Sequence, residues 1–232
     1  MTTSTNSDDN INSPKAAGGA LADALTWLRM LIMPLVVFLI WKGWQPVDAG
    51  GIDLSLTLLA STLFAIAAFT DIFDDFLGGN ERSIHRRFGY LDDIADTVLV
   101  VGTLAALFFV VQRAGWMSWI FFTPVVILIG REIIVGVFKG FELSRYVVPD
   151  TLMSNLKSGL SMLGTCLLLA SPWLQVWIDR MRAGTDKVTE TFAATSPFVW
   201  VTGEIILWIA AVFSILSAVH LFKTDFSAAN DA

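Results

Sequence analysis

Long apolar runs recur along the chain and constrain its fold more than any other feature. A membrane-spanning helix needs about 20 consecutive, mostly apolar residues. Runs of this kind alternate with short polar segments between residues 24 and 222. Because the bilayer offers the backbone no hydrogen-bond partners, such runs fold as helices. We therefore predict an all-α integral membrane protein, and the 55% share of hydrophobic residues supports this prediction.

The apolar runs predict one membrane domain, residues 22–223, with six transmembrane helices. The predicted helices cover residues 24–43, 52–76, 89–112, 116–141, 153–178 and 197–222. Residues 1–21 are polar and lack the apolar core of a signal peptide, so we expect a disordered tail there. Residues 224–232 form a second tail. Pro34 is expected to kink the first helix.

Four aspartates stand where the second apolar run ends and the third begins. Asp71 and Asp74 are three residues apart, Asp92 and Asp96 are four apart, and each pair therefore shares one helix face. A hairpin between the two runs would gather four carboxylates, which cannot all stay ionised near lipid without cations. Oxygen ligands favour Mg²⁺ or Mn²⁺. The alternative is that these are helix-end charges in water.

Loop charges predict the orientation in the membrane. Arg82, Arg86 and Arg87 lie in the short loop between the second and third runs, and short basic loops stay in the cytoplasm. We therefore expect the active site at the cytoplasmic end of the bundle, in the cytoplasmic (inner) membrane. Six tryptophans near the opposite ends predict an interfacial belt: Trp41, Trp44, Trp116, Trp119, Trp173 and Trp177.

Other charged residues lie inside the apolar runs. Arg29 must either extend its charge to the interface or meet an anion. Arg131 and Glu132 are adjacent, and neighbouring residues on a helix do not face each other. We therefore expect Arg131 to contact a ligand or another helix, on the same side of the membrane as Lys157.

The remaining features argue against nucleic-acid binding and against a disulfide, and they include two polar residues that are expected in solvent. The chain has no broad basic face, which argues against nucleic-acid binding. The single Cys166 cannot form an intramolecular disulfide and is expected to be a reduced structural thiol. Glu204 and His220 are expected near opposite interfaces, in solvated positions.

The segment from Thr70 to Thr97 resembles the signature of the CDP-alcohol phosphatidyltransferase family. That signature is D-x-x-D-G-x-x-A-R, eight residues, then G-x-x-x-D-x-x-x-D, and the four aspartates keep its spacing. LTWLRMLIMP, GREIIVGVFK and NLKSGLSML are similar to the family's first, fourth and fifth helices, most closely in the phosphatidylglycerophosphate synthase branch. The resemblance covers residues 22–222.

The chain departs from this signature at several positions. Asp75 replaces the glycine after the second aspartate, and Gly78 and Gly79 replace the alanine and arginine. Gly89 stands three residues before Asp92, where the family has four. Arg82 is expected to supply the charge that is absent at position 79.

The resemblance implies phospholipid biosynthesis: transfer of a phosphatidyl group from CDP-diacylglycerol in the membrane to a small alcohol, most naturally glycerol 3-phosphate, with release of CMP. It also implies a possible homodimer. The implied metal ligands are Asp71, Asp74, Asp92 and Asp96, and the implied CDP-binding residues are Asp71, Asp74, Gly78, Gly79 and Arg82. Asp96 is the implied general base, with Asp93 as the next candidate.

Basic residues complete the implied site. Arg131, Arg145 and Lys157 are expected to bind the acceptor, and Arg29 the lipid phosphate. Two alternatives remain open: a UbiA-type polyprenyl transferase, which also uses membrane aspartates and Mg²⁺, and a degenerate homologue that binds lipid without turnover.

Overall fold

A computed structural model describes the backbone of residues 14–45, 51–76, 89–116, 118–142, 152–183 and 198–230. Within these ranges the chain forms six helices, which confirms the all-α prediction. They are α1 (Pro14–Gly43), α2 (Leu54–Phe76), α3 (Gly89–Arg113), α4 (Trp119–Glu142), α5 (Leu152–Ala183) and α6 (Phe198–Asn230). The side chains described are those of residues 24–45, 51–70, 94–116, 118–135, 156–181 and 198–219.

The first and last helices are longer than the apolar pattern predicts. Helix α1 begins at Pro14, inside the segment expected to be a disordered tail, and α6 continues to Asn230, inside the second tail. Proline suits the first helical position because its fixed φ fits the helix and its missing N–H would be unbonded there. Helix α1 continues through Pro34. Residues 1–13 lie outside the described residues.

Local sequence signals set the helix ends at one end of the bundle. Asp53 caps α2, since its Oδ1 accepts from the backbone N–H groups of Ser55 and Leu56 at 2.9 and 3.1 Å. Gly115 ends α3 with a φ of 74°. The N–H of Trp116 returns to the carbonyl of Val111 at 3.1 Å, which completes a Schellman motif.

Four aromatic side chains meet at this end, two that directly follow α1 and α3 and two from the starts of α4 and α6. We call it the aromatic end (Trp44, Trp116, Phe121 and Trp200). The Trp44 ring lies 6.3 Å from that of Trp116 and 5.8 Å from that of Trp200, and Phe121 lies 5.3 Å from Trp200. Trp44 is only 2% exposed. Its place in an interfacial belt was therefore wrongly predicted, because it packs inward on other rings.

The positions of these rings show that successive helices run in opposite directions. Trp44 follows α1 and Trp116 follows α3, whereas Phe121 and Trp200 lie near the starts of α4 and α6. Trp44 also forms an antiparallel bridge with Ile52 just before α2. The backbone N–H of Val199 at the start of α6 donates to Gln175 near the end of α5 at 3.3 Å. The starts of α1, α3 and α5 and the ends of α2, α4 and α6 therefore lie together at the opposite end, which we call the polar end.

The described residues include four helices that are long and apolar enough to cross a membrane. These spans are Ala24–Gly43, Ile94–Arg113, Leu156–Met181 and Phe198–Val219, and Leu54–Thr70 forms a shorter apolar helix. Large apolar side chains such as Leu31 and Phe69 are 70% and 68% exposed. An outer surface of this kind suits lipid contact, so the chain is a multi-pass membrane protein.

Candidate functional site

The polar end carries the four signature aspartates. Asp71 and Asp74 lie in the last turns of α2, and Asp92 and Asp96 in the first turns of α3. Helix α1 packs against both α2 and α3. The backbone thus brings the two aspartate pairs to the same end of the bundle, as the hairpin prediction requires.

The described side chains test this predicted metal site only at Asp96. Those of Asp71, Asp74 and Asp92 lie outside the described part of the chain, and residues Gly78, Gly79, Arg82 and Arg145 lie outside it entirely. Within the described part, no three His, Cys, Asp or Glu residues are grouped so that they could hold a metal ion. The ligand set remains a prediction.

Asp96 forms an ion pair with Arg29 across α1 and α3. The Nη1 of Arg29 donates to the Oδ1 of Asp96. Arg29 is 0% exposed, and the Asp96 side chain is 23% exposed. The alternative in which Arg29 extends to the interface is therefore wrong, because a fully buried cation is stable only beside an anion. The predicted lipid-phosphate role of Arg29 stays a prediction.

A second charged group joins α4, α5 and α6, and we call it the Glu132 cluster (Arg131, Glu132, Lys157 and Ser217). The Oε1 of Glu132 accepts from Lys157 Nζ at 2.5 Å and from Arg131 Nη1 at 3.0 Å. Arg131 Nη2 also donates to the Ser217 hydroxyl at 3.4 Å. The cluster is mostly buried, with side-chain exposures of 13% for Arg131, 18% for Glu132 and 9% for Lys157.

The cluster confirms one prediction about Arg131 and corrects another. Arg131 does contact another helix, through Ser217. It also contacts its neighbour Glu132, which the angular separation of adjacent residues argued against. The reason is side-chain length: both side chains are long, and both bend towards the same buried position, where Lys157 adds a second cation.

The charges of this cluster suit an anionic ligand. Arg131 and Lys157 bring two positive charges to one oxygen of Glu132. The Nε of Arg131 is buried and has no hydrogen-bond partner among the described residues. A guanidinium with an unused donor is a group that binds phosphate oxygens.

Sequence reasoning missed the role of Glu132 as the partner of Lys157. The signal was an arginine–glutamate pair in an apolar run with a lysine near the start of the next helix. It also missed that Arg29 and Asp96 pair, although a buried arginine requires an anion and Asp96 is an acidic residue near the start of α3.

Three further residues were predicted to have no role in the site. Glu204 is 7% exposed and accepts a hydrogen bond from Trp200 Nε1 at 2.8 Å. The expected solvated position is therefore wrong, because the residue one turn away satisfies the carboxylate inside the bundle. Cys166 is a free, half-buried thiol, as predicted. The side chain of His220 lies outside the described residues.

The fold and the buried ion pairs define a helical membrane protein whose helices are joined by charged side chains. The chain belongs to the CDP-alcohol phosphatidyltransferase family, which it matches over residues 19–216. This confirms the resemblance given by the aspartate signature and makes the protein a transferase of phospholipid biosynthesis. The assignment does not support the polyprenyl transferase alternative.

Several bacterial proteins are similar to the chain over most of their length. Proteins of Escherichia coli (strain K12), Salmonella choleraesuis (strain SC-B67) and Shigella flexneri serotype 5b (strain 8401) are each 29% identical to it over 160 residues. The matched region covers 67% of this chain and 78% of each relative. All three are named CDP-diacylglycerol–glycerol-3-phosphate 3-phosphatidyltransferase.

Proposed function

We propose that this protein transfers the phosphatidyl group of CDP-diacylglycerol to glycerol 3-phosphate and releases CMP, with Mg²⁺ or Mn²⁺ as cofactor. The Glu132 cluster is the observation that carries the choice of acceptor. Its two cations, Arg131 and Lys157, are mostly buried and share one oxygen of Glu132. A phosphorylated alcohol needs such cations, whereas serine or unphosphorylated inositol does not. The names of the bacterial relatives agree with this choice.

The donor set at the polar end fits a hard divalent metal. Asp71, Asp74 and Asp92 would hold the ions, with Asp96 at the edge of the site, because carboxylate oxygens are the ligands that Mg²⁺ and Mn²⁺ prefer. A metal held there would neutralise the charge that develops on the diphosphate during transfer.

The protein's own residues do the rest of the chemistry. Asp96 accepts the proton of the acceptor hydroxyl, and Arg29 holds its carboxylate in position through Nη1. The freed oxygen attacks the lipid-side phosphorus, and the bond to the CMP oxygen breaks. Arg131 and Lys157, together with Arg145, hold the acceptor phosphate so that its hydroxyl lies near Asp96.

The proposal extends to the placement of the protein in the cell. The polar end faces the cytoplasm, where CMP and glycerol 3-phosphate are soluble, and the bundle lies in the inner membrane. The family resemblance further suggests a homodimer.

The test is CMP release from CDP-diacylglycerol by the purified full chain, with glycerol 3-phosphate, serine and inositol as acceptors. We expect release with glycerol 3-phosphate and Mg²⁺ or Mn²⁺, and no release in EDTA. Release with a neutral alcohol instead would contradict the acceptor. Full activity in EDTA would contradict the metal. No release with any alcohol would favour the non-catalytic homologue.

A further inference from the structure

Glu132 holds together two cations that the proposed function assigns to the acceptor. A single oxygen, Oε1, accepts from Lys157 on α5 at 2.5 Å and from Arg131 on α4 at 3.0 Å. One carboxylate oxygen therefore takes the place that an oxygen of a bound anion would need. Glu132 lies in the middle of the cations and has no proposed role in the transfer itself.

An anion that enters this cluster must displace Glu132 or lie beside it. The guanidinium of Arg131 can reach an incoming oxygen through its buried Nε, which has no partner among the described residues. Lys157 carries three donors on one nitrogen and can turn between two acceptors. Glu132, by contrast, has the same sign of charge as the anion, so its contacts weaken as the anion binds.

We propose that Glu132 is an internal competitor for the acceptor's anionic group, and so a specificity-determining residue. This inference rests on the proposed function for the identity of the acceptor. With the site empty, Glu132 balances the buried positive charge. With the acceptor bound, the phosphate takes over these contacts. Only a strongly anionic group offsets the free energy that is lost when the Glu132 contacts break. Neutral alcohols leave the Glu132 contacts intact and find no free cation.

The change Glu132→Gln tests the competition directly. Glutamine keeps the shape and one acceptor oxygen but removes the negative charge that Arg131 and Lys157 share. The loss of this charge weakens the empty state, and a bound anion restores a negative charge between the two cations. We expect the variant to bind inorganic phosphate roughly tenfold more tightly than the wild type, equivalent to ~1.4 kcal/mol.

The measurement is thermal unfolding of the full chain in detergent, titrated with phosphate in EDTA, with chloride at matched ionic strength as reference. EDTA keeps phosphate from binding through a metal. The matched control is Glu204→Gln, the same substitution at a buried glutamate near the aromatic end. It is expected to leave the phosphate affinity at the wild-type value.

A second variant separates the effect of the Glu132 charge from the effect of its side-chain length. Glu132→Asp keeps the charge but shortens the side chain, so we expect a phosphate affinity between those of the wild type and of Glu132→Gln. In CMP-release assays, Glu132→Gln should lower the KM for glycerol 3-phosphate and leave that for CDP-diacylglycerol unchanged. A purely structural role of Glu132 would not lower the KM for glycerol 3-phosphate while it leaves the KM for CDP-diacylglycerol unchanged. If Glu132→Gln does not fold without phosphate, its recovery on adding phosphate supports the proposal.

Phosphate affinity equal to or weaker than that of the wild type in both Glu132 variants would overturn the inference. So would equal tightening in Glu204→Gln, because the effect would then not belong to the cluster. The phosphate titration needs no turnover. A failure to release CMP with glycerol 3-phosphate would therefore count against the proposed function, while the titration still decides the role of Glu132.

Discussion

On the proposed function, the Asp96 carboxylate takes part both in the chemistry and in the stability of the bundle. Its Oδ1 accepts from Arg29, which is completely buried. A general base must point in one direction, and a buried ion pair across two helices fixes that direction. Removal of either charge takes the ion-pair contact away from the other charge, which destabilises the folded bundle. Measurements of activity at this position must therefore be corrected for the folded fraction.

For Asp96→Asn we expect a kcat lowered by about 10²–10⁴, the usual contribution of a general base. The KM for CDP-diacylglycerol should change little. The measurement is CMP release per folded protein. Asp179→Asn is the control, since this aspartate lies near the aromatic end of α5 and contacts Gln175 at 3.0 Å. A near-normal kcat would place the base elsewhere, with Asp93 as the next candidate.

Arg131→Ala and Lys157→Ala test the proposed acceptor site. Each charge-assisted hydrogen bond contributes about 1.5–3 kcal/mol, so loss of one cation should raise the KM for glycerol 3-phosphate roughly ten- to a hundredfold. The KM for CDP-diacylglycerol should move much less. Lys42→Ala, an exposed residue at the end of α1 near the aromatic end, serves as control. An unchanged acceptor KM in both variants would remove the glycerol 3-phosphate assignment.

Helices α5 and α6 approach each other closely at two glycines. A Cβ on Gly164 would lie 2.9 Å from Leu207 Cδ2, and one on Gly203 would lie 3.0 Å from Leu168 and 3.3 Å from the Gly164 carbonyl. In lipid, small residues allow this close packing, which replaces the hydrophobic effect as the driving force. These helices carry Lys157 and Ser217, so their contact also positions the Glu132 cluster.

Gly164→Leu should separate α5 from α6 and destabilise the protein by about 1–3 kcal/mol, the usual cost of overpacking. Gly159→Leu is the matched control, because nothing lies within 4 Å of a Cβ at that position on the same helix. Denaturant unfolding in detergent measures both. Equal stability of the two variants would show that the α5–α6 contact does not require a glycine.

The helices were predictable from sequence, and their side-chain contacts were not. An apolar run fixes the existence of a span, so α2 was expected at 52–76 and is found at Leu54–Phe76. The start of α1 was missed because Pro14 and the following alanines favour a helix without an apolar pattern. The contact between Glu132 and Lys157 depends on the rotation of two helices about their axes. Hydropathy does not report that rotation.

The whole molecule has a polar end and an aromatic end, and the loop charges predict which faces the cytoplasm. In a Cys166→Ser background, a membrane-impermeant maleimide added to intact cells should label Lys42→Cys at the aromatic end. It should label Asn80→Cys, between α2 and α3, only after permeabilisation. The basis is the basic segment with Arg82, Arg86 and Arg87, which favours the cytoplasmic side. The reverse labelling pattern would contradict the proposed orientation.

The separation of the polar end from the aromatic end determines which leaflet of the membrane the reaction changes. Trp44 packs against Trp116 and Trp200 at this end of the bundle, opposite the polar end. On the proposed function, a two-chain lipid is therefore used and returned on the same side. Each turnover exchanges one diacyl lipid for another, so the leaflet changes its surface charge at constant lipid number. The opposite leaflet gains the new headgroup only through a separate translocation step.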